Sequence, residues 1–243
     1  MISHAYKALI ANKLKTFLII ISLIFSIVSI FLISSISNGV ISMYSSMLKS
    51  DGDIIITQAK ISDTFFSNVD INLIKEIEYL KNINEAGAMT VGASPVEKLP
   101  IVAIYGVTQN RFKNYKLEKG KYPLNNEVIV GKSIFEQLSN RNEVQIANKT
   151  FKISGVFESE IGFENGGIVL NISDAGEIFN KSASMILVNT ALNSDIEEII
   201  KEIKTLSKDI DVKSTQNFVD NYNQFKIIKI SSNVISFIAF FLG

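Results

Sequence analysis

The sequence predicts an α+β domain held outside a membrane, divided by an inserted stretch and flanked by transmembrane α-helices. Three observations predict it. Residues 16–48 carry no charged side chain, all 24 Asp and Glu lie between Asp51 and Asp220, and a second apolar run begins near Ile227. The 33 residues of the first run would reach ~50 Å as a helix, against a hydrocarbon core of ~30 Å.

The most apolar part of that run, Phe17 to Ile36, reads FLIIISLIFSIVSIFLISSI, with serine as its only polar residue. It is too long for the ~7–15-residue apolar region of a signal peptide, and no A-x-A triplet follows, so a retained transmembrane helix over 16–48 is expected. Lys7, Lys13 and Lys15 precede it with no acid before Asp51, which places the N-terminus in the cytoplasm by the positive-inside rule. In residues 1–15, Ile2, Tyr6, Leu9, Ile10 and Leu14 share one helical face while His4, Lys7 and Lys15 lie largely opposite, the pattern of a leader lying on the inner membrane surface. Ser22, Ser26 and Ser29 fall at i, i+4 and i+7. Small residues so spaced let helices approach closely, which makes this face a candidate helix-packing surface; the plainer reading is that serine is tolerated in so apolar a helix. Beyond ~30 Å the helix is expected to extend from the bilayer as half of a stalk, with Gly39 as its bending point.

Residues 49–226 hold 20 of the 24 Lys and Arg together with every acid, so the middle is a mildly acidic soluble domain and the zero net charge hides two compartments. No basic stripe interleaved with aromatics appears, which excludes nucleic acid as a partner. The two arginines, Arg111 and Arg141, read as compositional bias. The absence of cysteine excludes disulfides, thiolate metal sites and cysteine nucleophiles. At about 180 residues the domain is large enough to stand on its core alone, burying ~70% of its unfolded surface. The one histidine, His4, lies in the leader, where a Ser-His-Asp or zinc site of the outer domain cannot use it.

Within the domain strands and helices alternate. Asp53 to Thr57 is a β-rich run, and Asp70 to Leu80 carries apolar residues at helical spacing behind a capping Asp70. Met89 to Val91 and Ile101 to Val107 read as strands, with a hairpin loop from Pro95 to Pro100. From Leu117 to Leu170 the texture changes to short strands and frequent turns: Glu127 to Val130, a short helix through Leu138, a hairpin around Asn148, and a loop marked by Gly162, Gly166 and Gly167. This stretch reads as a subdomain inserted into the first. A helix turn or two follows from Ser173, then strand Met185 to Val188 and a helix opened by Ser194 and Asp195. Val212 sits in a last strand, after which Ser214 or Thr215 caps one long helix running through Phe225 into the second membrane segment. The 14 residues after Lys229 fall short of the ~20 needed for a crossing, so a truncated second transmembrane helix over 227–243 is expected.

Several local patterns imitate sites. Gly131, Lys132 and Ser133 end like a phosphate loop, but Asn126 stands where its first glycine belongs. Asp51, Gly52 and Asp53 begin like a calcium loop without further carboxylates at ligand spacing, so a solvated turn is the plain reading. Glu158, Glu160 and Glu164 gather beside the glycine-rich loop; they are candidates for an outer-domain contact to a cationic partner, against the plainer reading of surface solubility. No catalytic, cofactor-binding or metal-ligating residue is nominated.

The opening ANKLKTFLIIISLIFSIVSIFLI, the stretch LEKGKYPLNNEVIVGKSIFEQL, the following FKISGVFES and the return to an apolar helix after VDNYNQF resemble the MacB-like permeases of ABC transporters. That group takes in LolC- and LolE-like lipoprotein-releasing permeases and, more distantly, FtsX proteins. The resemblance covers essentially the whole chain, through loose patterns of glycine and aliphatic residues. It implies a βα-rich, membrane-proximal subdomain with an inserted β-rich subdomain at about 115–180, within a MacB-like core domain over 49–226. It also implies an inner-membrane location, dimerisation with a second permease copy or paralogue, contact with membrane lipid, and a separate cytoplasmic ABC ATPase, with a periplasmic or outer-membrane protein as a further partner. The permease itself would not be an enzyme and would need no cofactor. Family members have four transmembrane helices, and this chain carries only the first and the start of the second.

Two other function classes fit less of the sequence. A membrane-bound sensor with a ligand-binding outer domain has the same two-helix layout and differs in what lies beyond Gly243. A tethered hydrolase would have to work without His or Cys in its outer domain, and no Ser/Lys or carboxylate pair is nominated by spacing.

Overall fold

The first helix, α1 (Lys13–Asp51), continues unbroken through Gly39 and ends three residues before the first strand. The computed structural model that shows this describes residues 11–139, 141–159 and 162–242; the leader positions from Ile2 to Ile10, and Glu160, lie outside the described residues. Contacts divide the chain into two units, one of residues 1–42 and 223–243 and the other of residues 43–222.

The first unit is apolar and largely uncovered. Phe17, Phe25 and Phe31 are all more than half exposed, as expected of side chains that meet lipid rather than water. Two helical stretches, Lys13–Lys49 and Thr215–Phe241, are long and apolar enough to cross a membrane.

The second unit is built on one mixed sheet. In chain order its elements are β1 (Ile54–Gln58), α2 (Leu73–Glu78), β2 (Ile83–Val96), β3 (Leu99–Val107), a 3-10 helix (Gln109–Asn114), β4 (Lys116–Gly120), β5 (Glu127–Gly131) and α3 (Lys132–Gln137). Then come β6 (Glu143–Ile146), β7 (Lys149–Glu158), α4 (Gly162–Asn165), β8 (Gly167–Asn171), α5 (Ile172–Phe179), β9 (Met185–Thr190), α6 (Ile196–Leu206), β10 (Ile210–Ser214) and α7 (Thr215–Asn221). After a break at Tyr222, α8 (Asn223–Leu242) enters the other unit. Among the described residues the strands run β10-β1-β9-β2-β3-β8-β5-β7-β4, with β6 paired to β2 and β7.

Two cores line this sheet. One gathers Ile54, Ile56, Ile77, Ile186, Val188, Ile199, Ile203 and Val212 under α2 and α6. The other gathers Ile104, Val128, Val130, Phe151, Val156, Ile168 and Leu170 with α3 and α5. The expected α+β architecture is what the chain adopts, with β3 and β8 pairing in parallel where the two halves of the sheet meet.

Three elements differ from expectation. Strand β2 is 14 residues long, and only Glu97 and Lys98 separate it from β3, with Glu97 in the left-handed region (φ 51). Its middle, Ala86 to Gly92, is buried throughout, so its small residues serve two covered faces and show no alternation. Gly92 makes room for the Phe179 ring and Gly106 for Ala175, which lets α5 lie directly on β2 and β3. Helix α2 is shorter than expected: Asp70 accepts from the Asn72 amide at 2.9 Å in a turn before it. The long C-terminal helix is two helices, because Tyr222 takes an extended conformation (ψ 120).

Candidate functional site

The C-terminal part of helix α1 and the segment of helix α7 and Tyr222 are tied to the sheet and to each other at two levels. The upper tie starts from the end of α1. Asp51, its last residue, carries a buried carboxylate whose Oδ2 lies 2.7 Å from Arg111 Nη2. Arg111 Nη1 donates to the Asp51 carbonyl at 3.0 Å, and Asn114 Nδ2 donates to Asp51 Oδ1 at 2.9 Å. A guanidinium at a helix C-terminus satisfies a terminal carbonyl and meets the negative end of the helix dipole. The arginine reaches this position because residue 87 on β2 is glycine: a Cβ there would lie 2.7 Å from Arg111 Cγ. Burial pushes the Asp51 carboxyl above its usual range, opposed by Arg111 and the hydrogen bond from Asn114.

Immediately after Asp51, the chain meets the start of α7. Thr215 Oγ1 donates to the Gly52 carbonyl at 2.7 Å, and the Thr215 amide to the Asp53 carbonyl at 2.8 Å. Asp53 Oδ2 in turn accepts from both the amide and the hydroxyl of Thr190 at the end of β9. Ser214 caps α7 by accepting from the Asn217 amide at 3.2 Å, which sets the helix's starting direction.

The lower tie lies seven residues back along α1 and seven residues on from Thr215. Tyr44 and Tyr222 stack with centroids 5.9 Å apart, and Phe218 of α7 also stacks with Tyr222, at 5.0 Å. Both phenols converge on Thr64 in the loop after β1, at 3.1 Å from Tyr44 and 3.3 Å from Tyr222. Tyr222 also donates to Asp63 Oδ1 at 3.2 Å. The extended backbone at Tyr222 that interrupts the helix is thereby held by ring packing and hydrogen bonds.

A second buried acid borders the upper tie. Glu164 on α4 accepts from Ser159 Oγ at 2.6 Å and is 7% exposed. Burial, reinforced by the charge of Asp51, raises its carboxyl to about 7 against the pull of Ser159 and Arg111. The phenols of Tyr105 and Tyr115 are raised chiefly by burial, with Glu164 adding to each. Tyr115 packs edge-on against Phe157 of β7 and accepts from Tyr122 at its carbonyl, so the β4–β7 part of the sheet is anchored beside the same cluster. Among the described residues no three His, Cys, Asp or Glu side chains gather for a metal ion. The arrangement fastens the end of α1 and the start of α7 to one sheet.

The residues singled out by sequence fall elsewhere. Ser22, Ser26 and Ser29 lie on α1 in the apolar unit, each half-buried. Glu158 is exposed and 3.7 Å from Lys132, which also meets Glu118 at 3.4 Å; Glu164 is buried, and Glu160 lies outside the described residues. Asp51 and Gly52 are buried at the end of a helix rather than in a solvated turn, and Arg111 is the partner of that helix rather than a compositional accident. Gly131, where the phosphate-loop resemblance ended, packs so tightly on the Asn165 carbonyl that a side chain cannot fit. The Asp51–Arg111 pair joins positions 60 apart in sequence, and its one local signal is an Arg four residues past the end of an apolar strand, in the 3-10 helix.

Residues 16–206 match the family model described as "MacB-like periplasmic core domain". Among solved structures, the periplasmic region of MacB from Actinobacillus actinomycetemcomitans superposes with a TM-score of 0.57 at 13% identity, covering 70% of this chain and 93% of that one. The extracellular domain of the noncanonic ABC-type transporter YknZ from Gram-positive bacteria gives 0.55 at 11% identity, covering 67% and 99%. No curated protein matches in sequence.

Proposed function

The chain belongs to the family of MacB-like periplasmic core domains, and on that premise we propose that it is a permease subunit, or the N-terminal part of one, in an ABC-type transporter. Its N-terminus lies in the cytoplasm and its core domain outside the inner membrane. A separate cytoplasmic ATPase supplies the work, a second permease copy or paralogue completes the dimer, and the cargo is a lipoprotein, peptide or drug handled outside the membrane. Movement of the membrane helices reaches the outer domain through α1 and α7.

The observation that carries this reading is the double tie. The chain segment that follows α1 and the one that precedes α8 both join one sheet and are tied to each other at Gly52–Thr215 and at Tyr44–Tyr222. A domain merely displayed on an anchor needs one attachment; one that must follow two helices needs each fastened. Ser22, Ser26 and Ser29 are proposed to pack against another helix of the permease or its partner copy. Glu158, Glu160 and Glu164 are proposed as an outer contact only through Glu158 and Glu160, because Glu164 is buried. A periplasmic or outer-membrane protein is the proposed partner there.

Affinity purification from the native membrane tests the assignment. A stoichiometric ABC ATPase should co-purify and hydrolyse ATP in the complex. Recovery of the chain with a kinase or methyl-accepting output and no ATPase would replace the permease by a sensor.

A further inference from the structure

The core under α2 and α6 is open at one edge. Where β1 ends and β10 begins, a cavity of about 460 Å³ lies between the start of α2 and the end of α6. Its floor is the rim of that core: Val69 and Leu73 are buried, and Leu206 and Ile210 are half-buried. The volume falls within the ~300–1,000 Å³ of ligand pockets, which are mostly apolar with a few placed polar groups. Every residue around it belongs to the unit of residues 43–222, so the cavity is formed without the apolar helices.

The charge around this floor has one sign. Among the described residues that line the cavity, the charged ones are Asp70 and Asp209, and neither forms an ion pair. Asp70 Oδ1 accepts from the Asn72 amide and from Asn72 Nδ2, both at 2.9 Å, which leaves Oδ2 to the cavity. The Asp209 carbonyl accepts from the Ala59 amide at 2.8 Å, which holds the backbone and leaves the carboxylate to the cavity. Helix α6 ends at Leu206 with Ser207 extended (ψ 148), so its last carbonyls and the negative end of its dipole add to the same field. The two acids stand on opposite sides of the floor. Gln58 pairs with Ile210, next to Asp209, and its Oε1 accepts from the Asn68 amide at 2.9 Å, two residues before Asp70. Gln58 and Asn68 thus separate the carboxylates.

We propose that this cavity binds a linear aliphatic diamine. One ammonium group meets Asp70, the other meets Asp209 and the end of α6, and the methylenes between them cover Val69, Leu73, Leu206 and Ile210. A neutral apolar ligand would desolvate both carboxylates without pairing them, and a bare metal ion would leave the apolar floor uncovered. Each exposed ammonium–carboxylate contact is weak, roughly two- to fivefold in affinity, so a ligand that reaches both acids binds more tightly than a monoamine of the same length.

Isothermal titration calorimetry of the full chain in phosphatidylcholine nanodiscs, with empty nanodiscs as the blank, tests the site. The probes are cadaverine, pentylamine and a capped Gly-Lys-Gly peptide. Cadaverine should bind once per chain, and pentylamine should bind at least about twofold more weakly. Asp70→Asn and Asp209→Asn should each weaken cadaverine about two- to fivefold, and the double variant should abolish the selectivity over pentylamine. Asn at position 70 keeps the Oδ1 acceptor for Asn72, so circular-dichroism melts should match the parent; if Asp70→Asn unfolds, Asp209→Asn, which leaves the start of α2 untouched, decides alone. Glu198→Gln, at the opposite end of α6, removes the same charge and should leave binding unchanged. No heat above the blank overturns the proposal, as does equal affinity for pentylamine or an equal loss with Glu198→Gln. Tighter binding of the lysine peptide than of cadaverine assigns the cavity to a side chain of a partner protein and overturns the diamine.

Discussion

Tyr44 and Tyr222, 178 positions apart in sequence, lie face to face with an interplanar angle of 16° and share Thr64 between their hydroxyls. One belongs to the helix that enters the outer domain, the other to the break in the helix that leaves it. The pair closes the lower end of a clamp whose upper end is the Thr215–Gly52 hydrogen bond.

Truncating either ring should loosen the clamp. Tyr222→Ala is expected to cost about 3 kcal/mol, as large buried aromatics do, and Tyr44→Ala a similar amount. The double variant should cost less than the sum by ~0.5–1.5 kcal/mol, the worth of the stacked pair itself. Urea unfolding of the detergent-solubilised chain, with all four members of the cycle, measures the coupling. Additive losses would show that the rings do not act as a pair.

Arg111→Ala is expected to destabilise by ~3–5 kcal/mol, because it leaves the Asp51 carboxylate buried without its cation. Arg111→Met combined with Asp51→Leu should recover much of that loss, since the pair's own worth is small once both charges are gone. The same unfolding assay distinguishes a stranded charge, rescued by the second substitution, from lost packing, which is not.

Gly87→Ala should be most harmful while Arg111 is present. Its new Cβ would meet Arg111 Cγ, Arg111 Cδ and Thr108 Oγ1, all within 3 Å, an overpacking cost of about 1–3 kcal/mol. In an Arg111→Ala background the same change should cost less than 1 kcal/mol. Equal costs in the two backgrounds would mean that the glycine serves some neighbour other than the arginine.

Glu164 makes stability depend on pH with a definite sign. Its folded carboxyl is raised from 4.5 to about 7, so folding favours the protonated form. The stabilisation is fully present below pH ~4.5 and is lost as pH rises through about 7. Asp51, also raised by burial, acts in the same direction. Glu164→Gln should therefore gain on the parent as pH rises from 5 to 8, by roughly 2–3 kcal/mol at the upper end. Denaturant midpoints of the two proteins across that range check it; parallel curves would exclude Glu164 as the source.

Much of this fold was legible because most of its elements bury one face. Helix α6 repeats isoleucine at helical spacing behind Asp195, which does cap it, accepting from the Glu197 and Glu198 amides. The hairpin of β6 and β7 turns at Ala147 and Asn148 as the polar break suggests. Strand β2 escaped because burial on two faces erases alternation, and the break at Tyr222 escaped because tyrosine is no helix breaker and its extended backbone is imposed by Tyr44, Phe218 and Thr64. The joint itself was not legible: Asp51 reads as a solvated turn residue until the fold brings Arg111 beside it. Glu164 likewise shares a local acidic texture with Glu158 and differs only in burial, which no spacing records.

The central claim is that movement of the membrane helices reaches the outer domain through the clamp. The chain lacks cysteine, so Leu192→Cys can carry the only spin label in each permease copy. Double electron–electron resonance between copies, in nanodiscs with the co-purifying ATPase, compares the nucleotide-free state with the state trapped by ATP and vanadate. The account predicts a shift in the inter-label distance on trapping, and its loss in the Tyr44→Ala/Tyr222→Ala variant while ATP hydrolysis continues. An unshifted distance in the parent, or a full shift with the clamp removed, would contradict it.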